Sequence, residues 1–248
     1  MKKICLFLVL VLTVCMFAGC AQEGGKDASS SAEQVSAEKK TVELTDQNGR
    51  TVMVEYPVER IACMQHHSLD ILTQLGAQEQ IVCTEDKWMT DLGSYMKDVF
   101  PGIEELPTAG TLSDPNVEAI AALDPDLVIL AAQCNEDAVA QFEKLGIPAI
   151  VVSLRGEGKQ AEAQNPNLSD ADAAYTEGLQ WAVETLGMLS GREDKADELW
   201  KFAMESRSYV EEQLSDISED ERVRVFIANE NNQTYGDDKY VGCMLLRA

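Results

Sequence analysis

Four short apolar runs, Ile61–Met64, Gln80–Thr84, Leu127–Ala131 and Ile147–Val152, constrain this 248-residue chain more than any other feature. Each is too short for a buried helix. Each also carries its apolar residues continuously, without the alternation of a half-exposed strand. Strands that are apolar on both faces must be covered on both faces, which is the condition inside a parallel sheet. The intervening segments have helical signals. Ser68 is a candidate cap for a helix carrying Leu69, Ile71, Leu72 and Leu75 and stopping at Gly76. Asn116 caps a helix through Val117, Ile120, Ala121 and Leu123, and Glu136–Leu145 is a helix closed by Gly146. Alternating strands and helices predict an α/β fold with a Rossmann-like lobe built on a parallel sheet.

Other elements flank this unit. Thr41–Thr45 and Thr51–Tyr56 surround Asp46-Gln47-Asn48-Gly49-Arg50, where Asn-Gly supplies the positive φ angles of a tight hairpin. Arg155 to Asp170 is polar and rich in glycine and asparagine, so it is expected to be a loop. Two long helices follow. The second runs from about Asp194 to Asp216, with Ala196, Leu199, Trp200, Ala203, Met204, Val210 and Leu214 near a 3.6-residue period. At 1.5 Å per residue it would extend roughly 30 Å, enough to cross a domain. Val223–Ala228 reads as a fresh strand, and the chain stops inside the apolar run Met244–Ala248. The expected organisation is a leader at 1–19, a flexible tether at 20–40, an N-terminal ligand-binding lobe at 41–190, a long linking helix at 191–217 and only the start of a second Rossmann-like lobe at 218–248.

The first 20 residues bear on location. Lys2 and Lys3 precede the apolar run Ile4–Ala18, and Phe17-Ala18-Gly19-Cys20 ends it with small residues before a cysteine. That is the layout of a bacterial lipoprotein signal, with Phe17 where such sites usually carry leucine. The run is shorter than the roughly 20 residues of a membrane span. Cleavage would leave Cys20 as a lipid-bearing N-terminus, so an extracytoplasmic protein anchored to the outer face of the membrane is expected. An ordinary secretory signal is the alternative. The formal charge is −23, which repels nucleic acid and anionic lipid head groups. Cys63, Cys83, Cys134 and Cys243 remain beyond Cys20, without a CxxC pair. Buried free thiols are the default for them. A Cys63–Cys83 disulfide would require neighbouring strands with suitable geometry.

Catalytic and nucleotide motifs are missing. Arg155-Gly156-Glu157-Gly158-Lys159-Gln160 lacks phosphate-loop spacing, and no GxGxxG is present. No nucleophile–base pair is legible, so an enzyme is not expected. His66 and His67 are the only histidines, which excludes an all-histidine zinc site; no metal site is expected, although a mixed one with Asp or Glu stays open. Both histidines follow the carboxyl end of a strand, where open α/β sheets bind ligands. Trp88, Gln133 and Arg155 follow the next strand ends in the same way. Trp88 could stack on a flat ligand or pack beneath its own loop. Arg155 could pair with a ligand carboxylate or a ferric chelate, or remain solvated.

Thr45–Val52, Glu59-Arg60-Ile61, Leu75-Gly76-Ala77 and Ile81-Val82 together resemble the opening of periplasmic binding proteins for metal chelates. The match continues through Gly110, Asn116–Ile120, Leu123–Ile129, Leu145–Pro148 and Gly187–Ala196, and covers residues 41 to 248. The resemblance implies two Rossmann-like lobes joined by a rigid helix, with the ligand in the cleft between them. It implies a ferric siderophore, haem or corrinoid as ligand, no cofactor, and an ABC permease with its ATPase as partners. The receptor would be a monomer. His66, His67, Trp88, Gln133, Arg155 and Tyr235 would contact ligand, and Glu118, in the Asn-x-Glu motif, would dock on the permease. The second lobe's docking glutamate would lie beyond Ala248, so a chain truncated within that lobe is expected. A lipoprotein that presents its chelate to a membrane sensor is the alternative.

Overall fold

The computed structural model describes residues 39–156, 168–218, 220–228, 234, 236 and 239–247. The proposed leader, Cys20, most of the tether and Tyr235 lie outside the described residues.

An antiparallel hairpin opens the structure, with β1 (Lys40–Thr45) paired to β2 (Thr51–Tyr56) in the register Val42↔Val54 and Leu44↔Val52. Its turn is built on Asp46, whose buried carboxylate accepts hydrogen bonds from the N–H groups of Asn48 (3.0 Å) and Arg50 (2.9 Å). Of the Asn-Gly pair, only Gly49 has positive φ.

Next come β3 (Ile61–Met64), α1 (His66–Gln74), β4 (Ile81–Thr84) and the short helices α2 (Trp88–Leu92) and α3 (Met96–Val99). They are followed by α4 (Val117–Ala121), β5 (Leu127–Ala131), α5 (Glu136–Leu145) and β6 (Ala149–Val152). The strands form one parallel sheet in the order β4-β3-β5-β6. All residues of β3, β5 and β6 are buried, as continuous apolar runs require.

Side chains segregate by strand parity. Ile61, Cys63, Leu127, Ile129, Ile150 and Val152 pack with Leu69 and Leu72 of α1 and Ala182 and Leu186 from the helix after the sheet. Ala62, Met64, Val128, Leu130 and Val151 pack on the other face with Val117, Ile120, Val139 and Phe142 of α4 and α5. The register shifts between β3 and β4, so that Ile61 faces Ile81 while Ala62 faces Cys83. Val82 is the extra residue, and the shift sends Cys83 to the face opposite Cys63. A Cys63–Cys83 disulfide is therefore excluded although the strands are neighbours, and none of the four described cysteines is in a disulfide.

Helix caps match local chemistry in most places. Asn116, Asn135 and Asp170 accept from the N–H three residues on, and Gly146 and Gly191 end their helices in the left-handed region. The cap of α1 differs from expectation. Gln65 performs it, accepting from Ser68 N, so His66 and His67 stand in the first helical turn. Helices α6 (Ala171–Ser190) and α7 (Glu193–Leu214) follow, crossing where Gly187 meets Ala196; a Cβ on Gly187 would stand 2.4 Å from that of Ala196. Of α7's expected apolar stripe Ala196 is buried, Leu199, Trp200, Ala203, Met204 and Leu214 are partly so, and Val210 is exposed. The strand expected at Val223–Ala228 does not form. Its side chains are exposed apart from half-buried Ile227, and Ala228 makes an isolated bridge to Thr234. Among the described residues no strand lies beside it to take its backbone hydrogen bonds, and β propensity alone does not make a strand. The apolar run near residue 248 is instead the helix α8 (Tyr240–Arg247). Arg247 pairs with Asp172 of α6 and Glu211 of α7.

Candidate functional site

The sheet order creates the site. The chain leaves β3 for the edge strand β4 and then returns to place β5 on β3's other side. The connections thus diverge at the carboxyl ends of β3 and β5, leaving a crevice there. A cavity of about 680 Å³ occupies it. Gln65, His66 and His67 enter from β3, Ala131 to Gln133 from β5, and Val152 to Arg155 from β6. Tyr175 and Leu179 of α6 and Lys239 and Tyr240 at the start of α8 complete the wall with Leu112.

The segment after β6 is held in place by residues distant in sequence. Gln47 Oε1 accepts from the N–H groups of Ser153 and Leu154, both at 2.8 Å, while its Nε2 donates to Gly178 O at 2.8 Å. Leu154 takes φ 57°, a costly conformation for a leucine. Gly156 N donates to Ala174 O at 2.6 Å. Asp46 adds a further tie, accepting from Val151 N at 3.0 Å and from Arg50 Nη2 at 2.7 Å. The hairpin turn, the sheet edge and α6 thus converge on Arg155, which is buried.

The electrostatics are one-sided. Desolvation and the neighbouring His66 push His67 down to about 4, with Asp70 and Asp91 opposing. Desolvation also lowers His66, again opposed by Asp91. Both rings are neutral near pH 7. Their Nε2 atoms lie 3.2 Å apart, so one ring donates to the other. Burial raises Tyr175, while Arg155 and Lys239 act to lower it. Among the described lining residues, Arg155 and Lys239 carry the charge and no carboxylate is present. This stands out in a chain with 43 acidic and 20 basic residues.

Four expected ligand residues, His66, His67, Gln133 and Arg155, therefore line one cavity. Trp88 does not. It is 5% exposed and packs in the core beneath its own loop, because its indole contributes more apolar area there than at the rim. Tyr235 lies outside the described residues. Lys239 and Tyr240 escaped the sequence reading because they follow β6 by more than 80 residues, and Tyr175 because it reads as an interior residue of a helix. Glu118 is exposed in the first turn of α4. Among the described residues, no helix is long and apolar enough to cross a membrane.

Residues 61–245 match the family model described as periplasmic binding protein, and the chain belongs to that family, whose members bind solutes for transport without transforming them. The molybdate-binding protein MolA of Haemophilus influenzae is 34% identical over 206 residues, covering 83% of this chain and 59% of the relative. The petrobactin-binding protein YclQ of Bacillus subtilis is 27% identical over 201 residues, covering 80% and 55%. The solved structure of MolA bound to molybdate superposes with a TM-score of 0.76 at 33% identity, over 83% of this chain and 64% of that one. This chain thus spans little more than half the length of these curated relatives.

Proposed function

We propose that this periplasmic binding protein captures an anionic, metal-containing solute for an ABC importer, with Arg155 and Lys239 as the counter-charges. One observation carries the reading: the described wall of the cavity holds two cationic side chains and no carboxylate, in a protein of net charge −23. Oriented donors in a partly desolvated site favour an anion far more than the same groups in water would. The neutral histidines, Gln65, Gln133 and the tyrosines add hydrogen-bonding groups without opposing charge. Two ligand classes share this chemistry. An oxyanion is supported by the similarity to MolA. A ferric siderophore or haem is supported by the cavity volume, which lies within the roughly 300–1,000 Å³ of sites for larger organic ligands. A corrinoid without net negative charge fits less well. The same reading includes an acylated Cys20, which would hold the receptor near its permease and ATPase and raise its effective concentration there, and Glu118 as a docking residue.

The test is calorimetric titration of the purified chain with sodium molybdate, ferric citrate, haemin and cyanocobalamin. One-to-one binding of an anionic member, weakened at least tenfold by Arg155→Gln, is expected. Binding confined to cyanocobalamin, or anion binding indifferent to Arg155→Gln, would overturn the reading.

A further inference from the structure

Behind the cavity wall, His66 turns its second ring nitrogen away from the ligand space. Its Nδ1 is buried, has no hydrogen-bond partner, and lies 3.7 Å from Asp91 Oδ2. Glu85 completes a group of three whose ligand atoms all lie within 4.8 Å of one another. Glu85 is fully buried. One carboxylate oxygen accepts from Lys87 N at 2.6 Å, and the other, Oε1, has no hydrogen-bond partner. A buried carboxylate oxygen left unsatisfied beside a second carboxylate and an unsatisfied imidazole nitrogen is costly unless a proton or a cation joins them.

We propose that His66 Nδ1, Glu85 and Asp91 hold a divalent first-row transition-metal ion, such as Zn²⁺ or Mn²⁺, immediately behind the anion cavity. One imidazole and two carboxylates form a mixed nitrogen–oxygen donor set suited to such ions, with remaining positions left to water. Bond lengths of about 2.0–2.2 Å require the three groups to draw inward. Asp91, on the short α2 helix with its side chain 30% exposed, is the one able to move. The outer hydrogen bond is already present. With Nδ1 on the metal, His66 must carry its proton on Nε2, which then donates to His67 Nε2 at 3.2 Å. His67 is thereby committed to a proton on Nδ1, so the ion would set the tautomer of a cavity residue and add positive potential behind it.

The test uses the purified full-length chain, stripped with EDTA and titrated calorimetrically with ZnCl₂ and separately with MnCl₂, without any anionic ligand. Manganese guards against binding to the free thiols, which prefer softer ions. One saturable site per chain is expected, weakened at least tenfold in Glu85→Gln and in Asp91→Asn. If Glu85→Gln fails to fold, Asp91→Asn at the surface decides alone. Absence of one-to-one binding for both ions, or unchanged affinity in folded Asp91→Asn, overturns the site and leaves the anion reading untouched.

Discussion

The backbone of Arg155 lies directly on Gly178: a Cβ at position 178 would stand 2.1 Å from Arg155 N and 2.2 Å from its Cα. A side chain at 178 on α6 would therefore push the cavity's buried cation out of place.

Gly178→Ala tests that relationship. In an ordinary helix interior the change stabilises by about 1 kcal/mol. Here the methyl would meet three backbone atoms of Arg155 within 2.4 Å, and backbone cannot yield as the end of a flexible side chain can, so overpacking outweighs that gain and stability should fall by about 3 kcal/mol. Anion affinity should also fall at least tenfold as Arg155 shifts. Calorimetry alongside thermal unfolding separates the two; wild-type affinity in the variant would show that Arg155 need not stay where it is.

Asp46→Ala should be the most damaging single change in the hairpin. The buried carboxylate serves three backbone N–H groups, on Asn48, Arg50 and Val151, and pairs with the Arg50 guanidinium. Removing one partner of such a pair costs about 3 kcal/mol, since the others lose their acceptor in a site water does not reach. For a chain of this size that lowers Tm by roughly 6–12 °C. A shift of a degree or two would mean the turn holds without its carboxylate.

The thiols give a pH prediction. Burial pushes Cys63 up to about 12 and Cys83 and Cys134 up to about 11, from an ordinary value of 9.0. In the folded protein they stay protonated at pH 8, so alkylation by iodoacetamide should be slow until denaturant is added. Above pH 9 the unfolded chain releases these protons and the folded one does not. Their contribution to stability is thus intact below pH 9 and declines as pH rises from about 9 to 12. Denaturant titrations at pH 8 and 10.5 measure that decline, and equal midpoints would contradict the burial.

Glu118→Arg should separate capture from delivery. Glu118 is exposed and is not one of the residues lining the cavity, so stability should stay within about 0.5 kcal/mol of wild type and ligand affinity should not change. Uptake by cells carrying the variant in the full-length protein should be abolished. Normal uptake would falsify the docking role.

Elements whose signal is local were legible in the sequence. Leu127–Ala131 could only be a buried parallel strand, and Asn116 and Gly146 mark helix ends through their own side-chain or backbone preferences. Four cavity residues followed from strand ends and topology, because a sheet's carboxyl edge is a consequence of its connections. What failed depended on partners far along the chain. Trp88 had two homes of similar chemistry, and only the packed core decided between them. Val223–Ala228 has strand composition but, among the described residues, no strand to join. Lys239, Tyr240 and the grouping of His66 with Glu85 and Asp91 arise from tertiary closure, which leaves no periodicity to read.

Gln47 carries a kinetic consequence. Its three side-chain hydrogen bonds join residues 106, 107 and 131 positions away, so they cannot form until the sheet and α6 have brought those segments together. Contacts that close loops of this length are expected to form after the folding nucleus, and so to act on unfolding more than on folding. On that expectation the wall that holds Arg155 closes late, and a weakened Gln47 should shorten the lifetime of the binding-competent state more than it slows its formation.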